Sequence, residues 1–293
     1  MKLTKKKWLV LCISLLLLLA IIIIAFCGNN NESGRERAFN MQVEQGYIHL
    51  TDDYDANGVT LNDFFSDKKS QKIMNETIEL LRKEKDYYYL DSQDIYIENY
   101  KEKLNNISFV PNNDKTLIDH SIAPLKSFQG ESRFFNDCGL KNEQDNIIDF
   151  GKYNKRIIDI ESKEPISIVL GYNYKKYFNK GEIFEGKIYG GLNLMFIVKE
   201  FLKDNSKANS KRFNSGISEF SSDSVLDNYI IIPNFVLKTN NKQKTKYVTI
   251  NACQRCEGLL FIDSEKDCIK KINIIKTIKE RTGFQFSTHF ALD

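Results

Sequence analysis

Apolar residues are distributed along this 293-residue chain in two different ways. Between positions 8 and 26 they run without a single charge, from Trp8 to Phe26. Beyond position 40 they come in short bursts separated by stretches rich in Asn, Lys and Ser. At about 1.5 Å of rise per residue, a helix over 8–26 matches the roughly 30 Å hydrocarbon core of a bilayer. Lys2, Lys5, Lys6 and Lys7 precede the run, and no comparable cluster follows directly. Positive charge resists translocation. The pattern therefore predicts a cytoplasmic tail over 1–7, a transmembrane helix over 8–26, a tether over 27–40 and a body outside the cytoplasm. Two alternatives share that address. One is a surface lipoprotein or binding module acylated at Cys27, and the other is a cleaved signal peptide, whose apolar region usually runs about 7–15 residues. Phe26 is bulky for the position before either cut.

The bursts give the body's elements. Val43, Tyr47, Ile48 and Leu50 predict a strand over 41–50. Ile73, Met74, Ile78 and Leu81 share one face of a helix over 70–84, with Ser70 as its N-cap. Strands follow at 87–90 and 94–100. Residues 101–160 carry few periodic signals and are expected to be long loops. A buried strand at 166–170 runs into Gly171, which opens a short helix holding Tyr172, Tyr174, Tyr177 and Phe178. Lys180 and Gly181 make a turn, and 184–189 pairs with 193–201 through Gly190 and Gly191. After a polar excursion over 203–224, strands are expected at 229–233, 247–252 and 259–262. The last helix starts at Ser264, repeats Ile269, Ile272, Ile275 and Ile278, and stops at Gly283 before a strand at 284–286.

Charge narrows the partners. The formal net charge is +3, and four positive charges belong to the N-terminal lysines, so the body is near neutral. A nucleic-acid partner needs a basic face, and none is expected here. The lysines at 242–246 read as solvated loop. Neither GxxxxGK[ST] nor GxGxxG occurs, so no nucleotide is expected, and GxSxG and HExxH are also absent. His49, His120 and His289 are far apart in sequence, each in a solvated or core role. The expectation is a non-enzyme with no catalytic residue, metal or cofactor. Cys253 and Cys256 have the spacing of a redox or metal pair. They have no second CxxC partner, and no histidine stands at a zinc-finger interval. A disulfide joining Cys253 or Cys256 to Cys268 is expected, with unpaired thiols and a thiol–disulfide enzyme as alternatives.

Residues Ile168 to Gly186 carry the most specific phrase. Leu170 and Gly171 end a strand, Tyr177 and Phe178 form a bulky pair in a short helix, and Gly181 and Glu182 precede a hairpin. A strand closing on Pro233 follows the variable excursion. This order resembles the extracytoplasmic core domain of MacB-type (macrolide-exporter) ABC transporter permeases. The resemblance implies an α+β fold: an N-terminal membrane helix, then a two-lobed domain of mixed sheets with packed helices. Residues 41–160 and 240–293 would form an α/β lobe and 161–239 a β-rich lobe. It also implies a bacterial cell-membrane protein that handles substrate without chemistry, lacking the family's three C-terminal membrane helices. Its partners would be a cytoplasmic ABC ATPase, the membrane, and a multi-span permease subunit or a second copy. The motif residues would be structural.

Overall fold

The computed structural model describes residues 46–53, 61–66, 69–98, 122–153, 157–188, 191–208 and 225–292. The expected tail, membrane helix, tether, His120 and most of the 203–224 excursion lie outside these residues. Among the described residues no helix is long and apolar enough to cross a membrane. In chain order the elements are β1 (Gly46–Asp52), α1 (Leu61–Ser66), α2 (Ser70–Leu81), β2 (Tyr87–Tyr88), β3 (Leu90–Asp91), β4 (Asp94–Glu98), β5 (Ile122–Gly130) and α3 (Ser132–Asp137). Then come β6 (Ile157–Asp159), β7 (Ile166–Leu170), β8 (Ile183–Ile188), β9 (Leu192–Phe201), β10 (Ile230–Pro233) and β11 (Val236–Lys238). The chain continues through α4 (Lys242–Gln254), β12 (Gly258–Ile262), α5 (Glu265–Thr282) and β13 (Phe286–Leu292). The fold is mixed α+β.

The larger sheet closes on itself. Its order is β10-β7-β9-β8-β4-β5-β3, and β10 also pairs in parallel with β5, Ile230 opposite Ser127. The pairings Leu90↔Gly130 and Asp91↔Gln129 continue in register into Asp94↔Lys126, so β3 and β4 form one interrupted strand on the same edge of β5. The result is a six-stranded barrel. Alternation sorts its side chains: Ile166, Ile168, Leu170, Ile230 and Ile232 point to an inner core with Phe184, Phe196 and Val198. Val169 and Ile231 point outward into an aromatic layer with Phe128, Phe134, Phe135 and Phe150. The β6–β11 pair adds Ile158 and Leu237 to the inner core.

The smaller sheet has the order β13-β1-β12-β2. Ile48, Leu50, Leu260 and Ile262 on one face join Met74, Ile78, Ala252, Ile275 and Ile278 in a helical core. Leu259 and Phe261 on the other face meet the aromatic layer over the barrel, so the sheet is buried on both sides. A single residue, Tyr89, separates β2 in this sheet from β3 in the barrel. Strands β3 to β5, grouped by sequence with the first lobe, therefore hydrogen-bond into the barrel instead.

Several expectations need correction. Residues 101–160 contain β5, whose nine residues pair with β3, β4 and β10; Pro124, Ser127 and Gln129 had masked its periodicity. Residues 242–254 form α4 rather than a loop and a strand. The Asn241 side chain accepts from the Gln243 amide, and Val248, Thr249, Ala252 and Cys253 share the buried face. Ser70 is the first buried residue of α2, and its hydroxyl donates to the Phe64 carbonyl instead of capping the helix. The sequence-distant His49 and His289 stand opposite each other on β1 and β13 with ring centroids 6.3 Å apart. Desolvation and the neighbouring His289 both lower the pKa of His49. The α5 helix follows expectation at both ends, with Ser264 accepting from the Asp267 amide and Gly283 left-handed. A three-residue repeat drifts around a 3.6-residue helix, so Ile269 is 43% exposed while Ile275 and Ile278 are buried.

Candidate functional site

The end of α4 and its connection to β12, from Cys253 to Glu257, concentrate the polar chemistry of the described residues. This segment sits where the smaller sheet and its helices meet the barrel. Arg255 at its centre is fully buried. Its Nη2 donates to Gln129 Oε1 on β5 at 2.8 Å, and its Nη1 donates to the Asn251 carbonyl at 3.2 Å. The guanidinium carbon lies 4.2 Å from the Phe235 ring centroid and 5.5 Å from that of Tyr89. Arginine keeps its charge in proteins, and its planar group stacks on rings while it hydrogen-bonds, which suits this mixed seam. Burial pushes its pKa down, and the charge of Arg82 acts in the same direction.

The seam extends through short polar links. Gln129 Nε2 donates to Ser127 Oγ at 3.1 Å, and that hydroxyl donates to the Gln93 carbonyl at 2.5 Å. Gln93 Nε2 donates to Gln254 Oε1 at 3.3 Å and also to Asp91. From β2, the Tyr87 hydroxyl donates to the Arg255 carbonyl at 3.0 Å. On the far side, Asn234 Nδ2 donates to Glu131 Oε1 at 2.5 Å, and Arg82 Nε lies 3.5 Å from the same oxygen. Arg255 Nε, the three Arg82 nitrogens and both amide atoms of Asn251 are buried without a hydrogen-bond partner among the described residues. These polar links, around an incompletely paired centre, add to the aromatic layer through which Leu259 and Phe261 pack on the barrel.

Cys253, Cys256 and Cys268 all lie in the helical core, and all three are free thiols; the expected disulfide is not formed in this structure. Burial pushes the Cys253 and Cys256 thiols well up, and neighbouring acidic groups add to it. Thiol–disulfide enzymes need the opposite, a stabilised thiolate. Among the described residues, the side chains whose donor atoms converge as a metal could require are Asp52, Cys253 and Glu257. Sequence spacing gave no sign of them as a set, because Asp52 is distant in the chain.

The motif residues lie in the barrel and at its turns. A Cβ on Gly171 would meet the Leu226 carbonyl oxygen at 2.2 Å and the Asp227 oxygen at 2.4 Å, so only glycine lets the segment after β7 pass the one before β10. The Gly171 amide donates to the Tyr229 carbonyl at 2.8 Å. Phe178 stacks on Phe184 at 5.1 Å inside the barrel, with Tyr177 packed beside it. Gly181 takes φ +83°, and Glu182 accepts from the Asn179 amide at 2.9 Å. Leu170 and Pro233 end the adjacent strands β7 and β10. None of these residues enters the Cys253–Glu257 seam.

No family model and no curated protein matches the chain. Among solved structures it is similar to the periplasmic region of MacB from Actinobacillus actinomycetemcomitans. The two are 10% identical, the alignment covers 85% of this chain and 88% of that one, and the TM-score is 0.33.

Proposed function

We propose that this chain is the membrane-anchored, extracytoplasmic part of an ABC transporter permease, which handles substrate and transmits motion without catalysing a reaction. The observation that carries this reading is the lysine-led apolar run over 8–26, followed by a polar tether and a body with no catalytic motif. The Leu170-Gly171, Tyr177-Phe178 and Gly181-Glu182 phrases support it, since each fixes a turn or a packing point in the barrel. The seam supports it as well. Polar links around Arg255 lie between the helical core and the barrel, beside the aromatic layer that both bodies share, and such links re-pair with less loss than interdigitated packing when one body shifts. A groove of about 560 Å³ between α2 and α5 is lined by Leu80, Ile269 and Ile274, with Lys83, Lys266 and Lys270 beside them. Its mixed lining suits an amphipathic peptide-, antibiotic- or lipid-like compound. The working partners are a cytoplasmic ABC ATPase and a multi-span permease subunit or a second copy.

The test is made on intact host cells. A membrane-impermeant amine reagent should label exposed lysines of α4 and α5 such as Lys242, Lys266 and Lys270, and cross-linking should recover an ABC ATPase with the chain. The purified chain alone should turn over no ATP. Unlabelled lysines in intact cells, or cross-linking that captures no ATPase, overturns the reading. Mass spectrometry of the mature N-terminus should find Met1–Phe26 intact, whereas a lipid on Cys27 would replace this reading with the lipoprotein one.

A further inference from the structure

Asp52 ends β1, Cys253 lies in the last turn of α4, and Glu257 immediately precedes β12. The antiparallel register of β1 on β12, Leu50 opposite Gly258, carries Asp52 back over the α4–β12 connection. One ligand atom from each residue, a thiol sulfur and two carboxylate oxygens, lies within 4.8 Å of the other two. We propose that Asp52, Cys253 and Glu257 bind a zinc-type divalent metal ion, with water completing the coordination.

Further observations support the site. Zinc bonds of about 2.0–2.3 Å hold tetrahedral ligand atoms about 3.5 Å apart, a contraction within reach of side-chain torsions. Cys253 is only 2% exposed, yet its thiol has no hydrogen-bond partner among the described residues while it faces both carboxylates. Neither carboxylate is paired with a lysine or arginine among those residues, and the Arg255 guanidinium next along the chain is turned to Gln129. The two carboxyl groups hydrogen-bond to each other, and among the described residues no cation pairs with either of them beside the buried thiol. The carbonyl end of the 13-residue α4 adds a partial negative charge there. Asp52 and Glu257 are half-buried, so an ion has a route from solvent. A thiolate ligand favours zinc over calcium or magnesium, which take oxygen donors. Binding releases the thiol proton to solvent.

The test uses the full chain in mild detergent, reduced and stripped with a chelator, then titrated with Zn²⁺ and, for spectroscopy, Co²⁺. One ion per chain should bind, Tm should rise, and Co²⁺ should show a sulfur-to-metal charge-transfer band. Asp52→Asn and Glu257→Gln should each weaken Zn²⁺ binding by about tenfold or more. Cys253→Ser should abolish the band and Cys256→Ser should keep it. A folded wild-type chain that binds no Zn²⁺, or carboxylate variants with unchanged affinity, overturns the proposal. So does a band that follows Cys256 instead of Cys253. Alkylation of the wild-type chain mapped by mass spectrometry covers the case in which Cys253→Ser fails to fold: Zn²⁺ should protect Cys253, and equal modification with and without it overturns the site. The site is independent of the transport reading, since Zn²⁺ binding needs no ATPase.

Discussion

The barrel and the layer of smaller sheet and helices achieve burial by different means. The barrel interior is filled by aliphatic and aromatic side chains from alternate strand positions, among them Phe184, Phe196, Ile168 and Ile230. The layer buries comparable apolar residues but also inserts charge. Arg255 is fully buried, and Lys271 on α5 is 3% exposed, held 2.6 Å from Asp267 and 3.1 Å from Asp86. Apolar packing is non-directional and tolerates little displacement, whereas a buried ionic or hydrogen-bonded link is directional and fixes which surfaces meet. The barrel therefore supplies stability, while the layer supplies specific attachment and concentrates the reactive groups.

The largest effect that separates the two should come from the barrel. Phe196→Ala removes a ring stacked 5.7 Å from Phe184 and should cost about 3–5 kcal/mol, measured as a fall in denaturation midpoint of the full chain in detergent. Next comes the seam. Arg255→Met leaves Gln129 without its donor and should cost about 2–3 kcal/mol. The double variant with Gln129→Leu should regain part of that loss, and a double variant no better than the single would show the seam to be ordinary packing. The smallest effect is one of pH. Burial, then the carboxylates of Asp52 and Asp91, pushes the Glu257 pKa from 4.5 up to about 7. The folded chain therefore binds more protons than the unfolded chain between those values. In the presence of chelator, stability should be fully present below about pH 4.5 and fall by about 1–2 kcal/mol as pH rises through 7, with solvent screening discounted. Glu257→Gln should flatten that slope.

Much of the barrel was legible because its strands obey one rule at a time. The 166–170 strand is apolar on both faces, the 183–201 hairpin alternates, and Gly181 marks the turn between them. The β5 strand was not legible, because a parallel partner on one edge and an antiparallel one on the other bury even Ser127 and Gln129. The α4 helix departs from the sequence expectation because Tyr247, Val248, Thr249 and Ile250 have strand propensity, which burial against α2 and the barrel overrides. Its Asn241 cap and the helical spacing of Val248, Ala252 and Cys253 were the available signal. The Cys253 and Cys256 spacing is visible in the sequence, whereas the acidic neighbours are not. Asp52 reaches Cys253 only through the β1–β12 register, a long-range pairing that local periodicity does not encode.

Closure of the barrel has a kinetic consequence. The β5–β10 pair joins Ile231 to Phe128, and β1 finds β12 across most of the chain. Such pairings return no contact energy until a large loop has been drawn in, so assembly belongs to the slow regime of milliseconds to seconds typical of non-local β topologies. Until the last strand docks, the edges of β5 and β10 stay open, and a chaperone or a neighbouring nascent chain would find its target there.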